Sequence, residues 1–509
     1  MAEPLPGGAD GKTGGSDSAT GGGTGFAEKV KAGVIWRSGS QLIGQLIAWT
    51  STFLVIRMLD PSDYGLLAMT GVILTFLDLF NGWGFASALV REDRTDKHRI
   101  GQAYAMLLMM NGGLAALQIA LAPLAADYFN QPMVAHLLYV QALFYIANPF
   151  NSLGHALLVR RLEFKRHARI NLTAAVLSAF TALGCALAGA GVWTLVAAPG
   201  MLWFARAAGY IHATRLWEIR PRFALKGAGT MLRYGVAMIA VQACWFVQSQ
   251  ADVFIAGGVL DAHTLGIYTT ALFLTQILAS KFVPALNEVA FAAYSRIQGQ
   301  QDMIASSFLK SIRLIMLVSM PFYFGLATTA GPLVETFLGE KWLDTAALVP
   351  ILCGAMPLLT LQILFAPATN ALGRPGLAVR TGLAGAIFMT IAFAIGINWG
   401  TEGLAWAWLA GMAGLLAVTV ELSRPIIGVT RAQLFLAVAP GLGAAAAMAG
   451  VVVGVDWLIA DLGTAKRLAL LVAVGAAAYF ACLFAFARPI VNEVLGLLRP
   501  NRDAATAAA

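Results

Sequence analysis

The chain has 509 residues, of which 59% are hydrophobic and 12% charged, and its mean hydropathy is +0.73. Soluble domains are about 45–50% apolar and about a quarter charged, so this composition excludes a soluble globular protein and predicts an integral membrane protein. The 34 basic residues exceed the 26 acidic ones. In a membrane protein such an excess sets the orientation of the loops, so it does not indicate a nucleic-acid partner.

The N-terminal segment 1–27 is rich in Gly, Ser and Thr and has few large apolar residues, so it cannot bury enough apolar surface to offset the conformational entropy lost on folding. We expect a disordered cytoplasmic tail there. From residue 34 onward, apolar segments of about 20 residues alternate with short polar breaks, which predicts an all-α polytopic protein with about fourteen transmembrane helices. The predicted spans are 34–57, 63–82, 103–125, 135–158, 170–189, 192–214, 234–258, 266–290, 309–330, 345–369, 378–398, 402–422, 433–455 and 467–487.

The distribution of Lys and Arg supports this number of spans. With the N-terminus inside, the inside segments hold 27 of these residues and the outside loops hold 4, namely Arg57, Lys341, Lys466 and Arg467. One missed or extra span would reverse the assignment of every later loop. The pattern therefore predicts a multi-pass membrane protein with fourteen spans and both termini in the cytoplasm.

An internal repeat divides the chain. The segment Leu59–Leu66 after span 1 matches Leu260–Ile267 after span 7 at an offset of 201 residues. Because an even number of spans separates the copies, the two lobes are expected to be related by a pseudo-two-fold axis along the membrane normal. The predicted organisation is a tail (1–27), an N-lobe with spans 1–6 (28–214), a cytoplasmic linker (215–233), a C-lobe with spans 7–12 (234–422), spans 13–14 (423–487) and a cytoplasmic tail (488–509).

An ordered set of short segments resembles a known family. These segments are Ile56–Leu66, Gly84–Val90, Arg161–Lys165, Pro284–Gln298 and Leu338–Trp342. Together they resemble bacterial polysaccharide-export flippases of the colanic-acid and teichuronic-acid exporter branch. That branch belongs to the multidrug, oligosaccharidyl-lipid and polysaccharide exporter superfamily, and the resemblance covers roughly residues 30 to 430.

The resemblance implies a transporter and not an enzyme. Its substrate would be a polyprenyl-pyrophosphate-linked oligosaccharide, which it would turn from the cytoplasmic to the periplasmic leaflet by alternating access. The product would serve lipopolysaccharide, capsule or exopolysaccharide biosynthesis. The implied partners are this substrate, membrane lipid and, in addition, polysaccharide polymerase and export machinery. Neither a cofactor, a metal nor a nucleic acid is expected.

Ionisable side chains inside membrane spans are costly, so they are candidates for function. Three cations fall within predicted spans: Arg37, Arg206 and Lys281. We expect them to face a hydrated cavity and attract the substrate's diphosphate. The alternative for each is a side chain that extends to the headgroups of the inner leaflet.

Amide side chains accompany one of these cations. Arg37, Gln41 and Gln45 recur at intervals of four residues and so share one face of span 1. The offset of the repeat places Gln242 of span 7 on Gln41. We expect Gln41, Gln45 and Gln242 to contact sugar hydroxyls.

The sequence allows two roles for each of two acidic residues and for one outside segment. Asp78 in span 2 and Asp252 in span 7 are candidates for binding a coupling proton or cation, or they pair with neighbouring helices. The outside segment Glu340-Lys341-Trp342 either touches emerging sugar or anchors the chain at the membrane interface.

Two other functions compete with the flippase. An integral-membrane glycosyltransferase or polymerase would be expected to carry catalytic residues in a sizeable outside loop, whereas the longest one here runs from about 331 to 344. A cation-coupled drug exporter of the same superfamily would share the lobes but would have a more apolar and acidic cavity.

Overall fold

A computed structural model describes residues 39, 43–81, 97–223, 228–297, 299–374 and 376–486. Throughout these ranges the regular structure is helical. The predicted tails, Arg37 and Gln41 lie outside the described residues.

Seven helices form the described part of the N-lobe. They are α1 (Ile43–Met58), α2 (Pro61–Asp78), α3 (Lys97–Tyr128), α4 (Pro132–Ala142), α5 (Phe144–Arg160), α6 (Phe164–Leu187) and α7 (Val192–Thr214).

The C-lobe and the last two spans follow. Their helices are α8 (Ala228–Gly257), α9 (Ala262–Lys281), α10 (Val283–Arg296), α11 (Gln301–Thr328), α12 (Ala330–Phe337), α13 (Leu343–Ile363), α14 (Phe365–Ala371), α15 (Gly376–Gly396), α16 (Gly400–Ile427), α17 (Arg431–Leu458) and α18 (Thr464–Phe486). Helix α8 begins inside the segment 215–233 that the sequence predicts as a linker.

Within the described ranges, helices lie at each of the fourteen predicted spans, which confirms the all-α polytopic fold. By length and composition alone, nine helical stretches within the described ranges are able to cross a membrane, and the longest of them joins two predicted spans. Three predicted spans, 135–158, 266–290 and 345–369, each consist of two consecutive helices.

Prolines explain two of these interruptions. Pro284 follows the break at Phe282, and Pro367 lies in the first turn of α14. Each proline lacks the N–H that would bond to the carbonyl four residues earlier. At the second break the carbonyl of Ile363 accepts a hydrogen bond from Asn287 Nδ2 at 3.4 Å instead. Asn287 thereby joins α10 to the end of α13.

The two copies of the repeat meet where α2 packs against α9. Gly65 faces the backbone of Ala262, and its counterpart Gly266 faces the backbone of Pro61. Since 61 and 65 map onto 262 and 266 at the offset of 201, these contacts are reciprocal and follow the predicted pseudo-two-fold axis. A side chain at either glycine would collide with the opposite backbone, so glycine permits this close approach.

The last two helices pack on the outside of the C-lobe. Gly441 of α17 lies against the backbone of Met316 and Leu317 in α11. The hydroxyl of Tyr479 in α18 donates to the carbonyl of Leu317 at 2.6 Å. Because α17 and α18 lie on the outside, the space between the two lobes is bordered by helices of the first twelve spans.

Candidate functional site

A cavity of about 820 Å³ lies between the lobes. Helices α1, α2, α6 and α7 line it from the N-lobe and α9 lines it from the C-lobe. Its polar side chains among the described residues are Gln45, Ser51, Thr52, Tyr64, His167, Asn171, Ser178, Thr194, Arg206, Thr269 and Thr270. Neither Asp nor Glu occurs among the described lining residues, whereas Arg206 contributes a guanidinium.

Arg206 lies on α7, about 12 Å along the helix axis from Thr214 at its end. Its Nε atom is buried, and no acceptor among the described residues is within hydrogen-bonding distance. A buried donor without a partner costs about 1–3 kcal/mol. An anion in the cavity would supply the missing acceptor, and a guanidinium matches phosphate oxygens in a bidentate geometry.

A polar network holds an imidazole beside this arginine. Asn171 Nδ2 donates to His167 Nε2 at 3.0 Å, and His167 Nδ1 lies 2.9 Å from the Tyr210 hydroxyl oxygen. Which atom of the His167–Tyr210 pair donates depends on which ring nitrogen carries the proton. Asn171 Nδ2 also donates to the His167 carbonyl at 3.1 Å. Tyr210 lies one turn from Arg206 on α7. Its contact with His167 therefore holds the imidazole at the cavity wall.

His167 and Asn171 were not predicted as site residues from the sequence. Their spacing of four residues at the start of a span, and the same spacing between Arg206 and Tyr210, were the available signals. Neither spacing reveals that the two helices face each other.

Of the predicted polar stripe on span 1, the described part reaches the cavity. Gln45 lines it together with Ser51 and Thr52 farther along α1. Gln45 and Arg206, which are far apart in sequence, therefore share one cavity.

Two other predicted substrate contacts lie elsewhere. Lys281 ends α9 with an exposed side chain, about 12 Å along the helix from the lining residue Phe273. Gln242 on α8 is half-buried. Neither side chain is among the residues that line this cavity.

Asp252 lies inside the packed C-lobe, with 1% of its surface exposed. Its Oδ2 accepts from the Tyr268 hydroxyl at 2.9 Å and from Trp408 Nε1 at 3.2 Å, and its Oδ1 accepts from the Val253 N–H at 2.8 Å. These bonds join α8, α9 and α16. The geometry is that of a helix contact, one of the two interpretations that the sequence left open.

Asp78 is exposed at the end of α2. It accepts a hydrogen bond from Asn81 Nδ2 at 3.1 Å. Asn81 in turn accepts from Asn148, whose amide also donates to Asn111 at 2.8 Å. This chain of amides links α2, α3 and α5, outside the cavity.

The lobes are fastened together by the segment at the end of α12, which we call the clasp (residues 338–342). Trp342 is fully buried, and its Nε1 donates to the carbonyl of Ile56 at 3.0 Å. Its ring also makes an edge-on contact with Tyr64, at 5.4 Å between centroids. Lys341 Nζ donates to the Met58 carbonyl at 3.1 Å and to Asp60 at 3.0 Å.

The clasp closes one face of the molecule, the clasp face. Ile56 and Tyr64, which hold Trp342, also line the adjacent end of the cavity. The buried N–H bond of Trp342 contributes more than the exposed Lys341 ion pair, because exposed pairs are worth about 0–1 kcal/mol. Trp342 is thus neither free to touch sugar nor an anchor in lipid; it joins the lobes.

The sequence is similar to a family of polysaccharide biosynthesis proteins. The profile of a family described as "Polysaccharide biosynthesis protein" matches residues 54–347, more than half of the chain. The lipopolysaccharide biosynthesis protein WzxC of Escherichia coli is 22% identical over 64% of this chain and 66% of its own length. The succinoglycan biosynthesis transport protein ExoT of Rhizobium meliloti is 24% identical over 70% of this chain and 72% of its own.

Solved structures share the fold. The lipid II flippase MurJ in an inward closed conformation superposes with a TM-score of 0.73 at 11% identity, covering 90% of this chain and 100% of MurJ. An inward-facing multidrug resistance transporter of the MATE family superposes with a TM-score of 0.57 at 16% identity, covering 77% and 98% of the two chains. At these identities the likeness establishes the fold and not the cargo.

Proposed function

The chain belongs to the polysaccharide biosynthesis protein family, and on that premise we propose that it is a flippase for a lipid-linked oligosaccharide. It turns a polyprenyl-pyrophosphate-linked oligosaccharide from the cytoplasmic to the periplasmic leaflet, by alternating access between its two lobes. The cargo serves the biosynthesis of a surface polysaccharide, in line with the names of the relatives WzxC and ExoT.

The observation that carries the proposal is the character of the cavity. It is shared by both lobes, it contains Arg206 and hydrogen-bonding side chains, and its described lining lacks a carboxylate. A diphosphate attached to sugar needs a cation and many hydrogen-bond partners. A cationic drug needs the opposite charge, so the drug-exporter alternative fits this cavity poorly.

The closure at one face supports alternating access. The clasp and the contact between Gly65 and Gly266 hold the lobes together at the clasp face. For transport, these contacts must separate while the opposite ends of the lobes approach each other. A glycosyltransferase would be expected to carry its catalytic residues in the longest outside segment. In this chain that segment contains the clasp and makes the contact between the lobes.

We propose the orientation from the basic residues. The face that carries residues 160–169 and 215–222, which we call the basic face, is cytoplasmic, and both termini lie on that side of the bacterial inner membrane. The clasp face is then periplasmic. In this orientation the described conformation is closed toward the periplasm.

Several residue roles remain proposals. Arg37 and Gln41 would extend the polar stripe of Gln45 toward the cytoplasm, where they would meet an entering diphosphate. Lys281 would attract the substrate at the cytoplasmic end of α9. Gln242 would contact sugar in another conformation, and coupling to an ion through Asp78 or Asp252 is a further proposal.

The test is complementation of a host strain that lacks the gene. Replacing Arg206 by Gln removes a charge-assisted contact worth about 1.5–3 kcal/mol, so export is expected to fall by about ten- to a hundredfold. Replacing it by Lys should retain part of the export. Arg374→Gln, an exposed arginine on a loop, is the matched control and should export normally.

The lipid-linked oligosaccharide is measured on each leaflet at equal protein levels. In the deletion strain it should accumulate on the cytoplasmic face, with loss of a surface polysaccharide. Normal arrival of full-length lipid-linked repeats at the periplasmic face in that strain would refute the flippase. Normal export by the Arg206→Gln variant would refute only the role of that residue.

A further inference from the structure

A second cavity lies on the basic face, between the end of α7 and the start of α6. It has a volume of about 850 Å³, within the range of small-molecule binding sites. Its lining residues are Arg161, Arg166, Arg169, Ile170, Gly209, His212, Ala213, Thr214, Arg215, Trp217 and Glu218. The flippase proposal assigns no role to it.

The charge of this basic pocket is strongly one-sided. Four arginines line it against the carboxylate of Glu218. Arg166 is paired with the neighbouring Glu163 at 2.8 Å, whereas Arg215 and Glu218 are 3.8 Å apart, a loose contact. Arg169 is exposed at the start of α6. The lining therefore retains an excess of positive charge after both acids are counted, which favours an anionic ligand.

The rim of the pocket is apolar. Trp217 is 59% exposed and its ring lies 6.1 Å from that of His212, and Leu162 beside the pocket is 49% exposed. Exposed tryptophan is typical of the level where headgroups meet acyl chains. The pocket also lies at the ends of the predicted spans 170–189 and 192–214, which is the depth of the headgroups.

We propose that this pocket binds the headgroup of an anionic phospholipid of the surrounding leaflet. The arginines contact the phosphate, and Trp217 and Leu162 contact the first part of the acyl chains. Basic pockets between transmembrane helices are a recurrent form of lipid recognition on the cytoplasmic side of membranes. The lipid would hold together the ends of α6 and α7, the helices that carry His167 and Arg206.

The experiment measures lipid retention by the purified full-length chain in native mass spectrometry. Phosphatidylglycerol is titrated against zwitterionic phosphatidylethanolamine. The test variant is Arg169→Gln with Arg215→Gln, and the matched control is Arg374→Gln with Arg380→Gln, which removes the same charge from exposed positions outside the pocket.

The wild type and the control should retain phosphatidylglycerol in preference to phosphatidylethanolamine. Each basic residue near an anionic surface contributes on the order of fivefold in binding, so the test variant should bind phosphatidylglycerol about 25-fold more weakly. Replacement of both arginines by Lys should restore most of the affinity. This second variant separates loss of charge from loss of folding, which size-exclusion chromatography checks in parallel.

Three results would overturn the proposal. One is equal retention of phosphatidylglycerol by the test variant and the control. Another is displacement of the lipid by millimolar inorganic phosphate, which would identify a site for a soluble anion. The third is preferential binding of a polyprenyl diphosphate, which would make the pocket an entry point for substrate. None of these results would refute the flippase proposal, which depends on the leaflet assay.

Discussion

The contact between Gly65 and the backbone of Ala262 allows a sharp test of how the lobes move. A methyl group on Gly65 would lie 2.7 Å from the carbonyl carbon of Ala262 and closer still to its oxygen. Carbon atoms pack at about 3.5–4.0 Å, so Gly65→Ala must separate α2 from α9 by about 1 Å at this level. Overpacking of this kind costs about 1–3 kcal/mol, which shifts the equilibrium away from the state closed at the clasp face by about 5- to 150-fold.

The assay is labelling of a cysteine introduced at Thr269, a lining residue of the cavity, in a chain whose native cysteines are replaced by alanine. A membrane-impermeant thiol reagent is applied from the clasp face. Labelling should be slow in the otherwise unchanged chain and faster with Gly65→Ala. Gly266→Ala should act in the same way, because its methyl group would lie 2.6 Å from the carbonyl carbon of Pro61.

Gly71 supplies the control on the same helix. A methyl group there meets nothing within 4 Å, so Gly71→Ala should leave labelling and export unchanged. If Gly65→Ala is labelled no faster than the control and exports normally, the close approach of α2 and α9 does not hold the clasp face closed.

Trp342→Phe leaves the Ile56 carbonyl without its donor, so the protein should lose about 1–3 kcal/mol of stability and unfold at a lower temperature. Labelling from the clasp face should rise. If neither quantity changes, the clasp does not hold the lobes together. Asp252→Asn keeps an amide oxygen that can accept from Tyr268, but it turns the amide N–H₂ toward the N–H of Val253, so two donors face each other and stability should fall. Loss of export at unchanged stability would instead favour ion coupling. The hydroxyl of Thr264 holds the pKa of Asp261, the N-cap of α9, below its ordinary value near 3.8; Asp261→Ala should therefore destabilise the protein by about 1 kcal/mol at pH 7. That difference should shrink as the pH falls below about 4 and the carboxylate is protonated, and a difference independent of pH would refute the charged cap.

The candidate site was only partly predictable from the sequence. Gln45 was selected because it shares a helix face with Arg37 and Gln41, and Arg206 because ionisable groups inside a span are costly. Both line the cavity. The same rule selected Asp252, yet that carboxylate is satisfied by three donors within the C-lobe. The rule identifies a polar group that needs a partner, and it cannot distinguish a ligand from a neighbouring helix. His167 was missed because it lies next to basic loop residues, where histidine is unremarkable.

The sequence by itself determined the helical class, the positions of the spans and the asymmetry of charge between the faces. These properties are local, since a span needs only about 20 apolar residues and a loop needs only its own charges. The internal repeat, with its offset of 201 residues, also predicted which segments of the two lobes are equivalent.

Only the tertiary structure decided which faces of the helices meet. It placed Trp342 on the carbonyl of Ile56, 286 residues away, and brought the backbone at Gly65 against that at Ala262. The physical reason is that lipid is as apolar as the protein interior, so hydropathy does not distinguish a side chain facing lipid from one facing another helix. Close packing and hydrogen bonds between helices make that distinction, and they exist only once the helices have assembled.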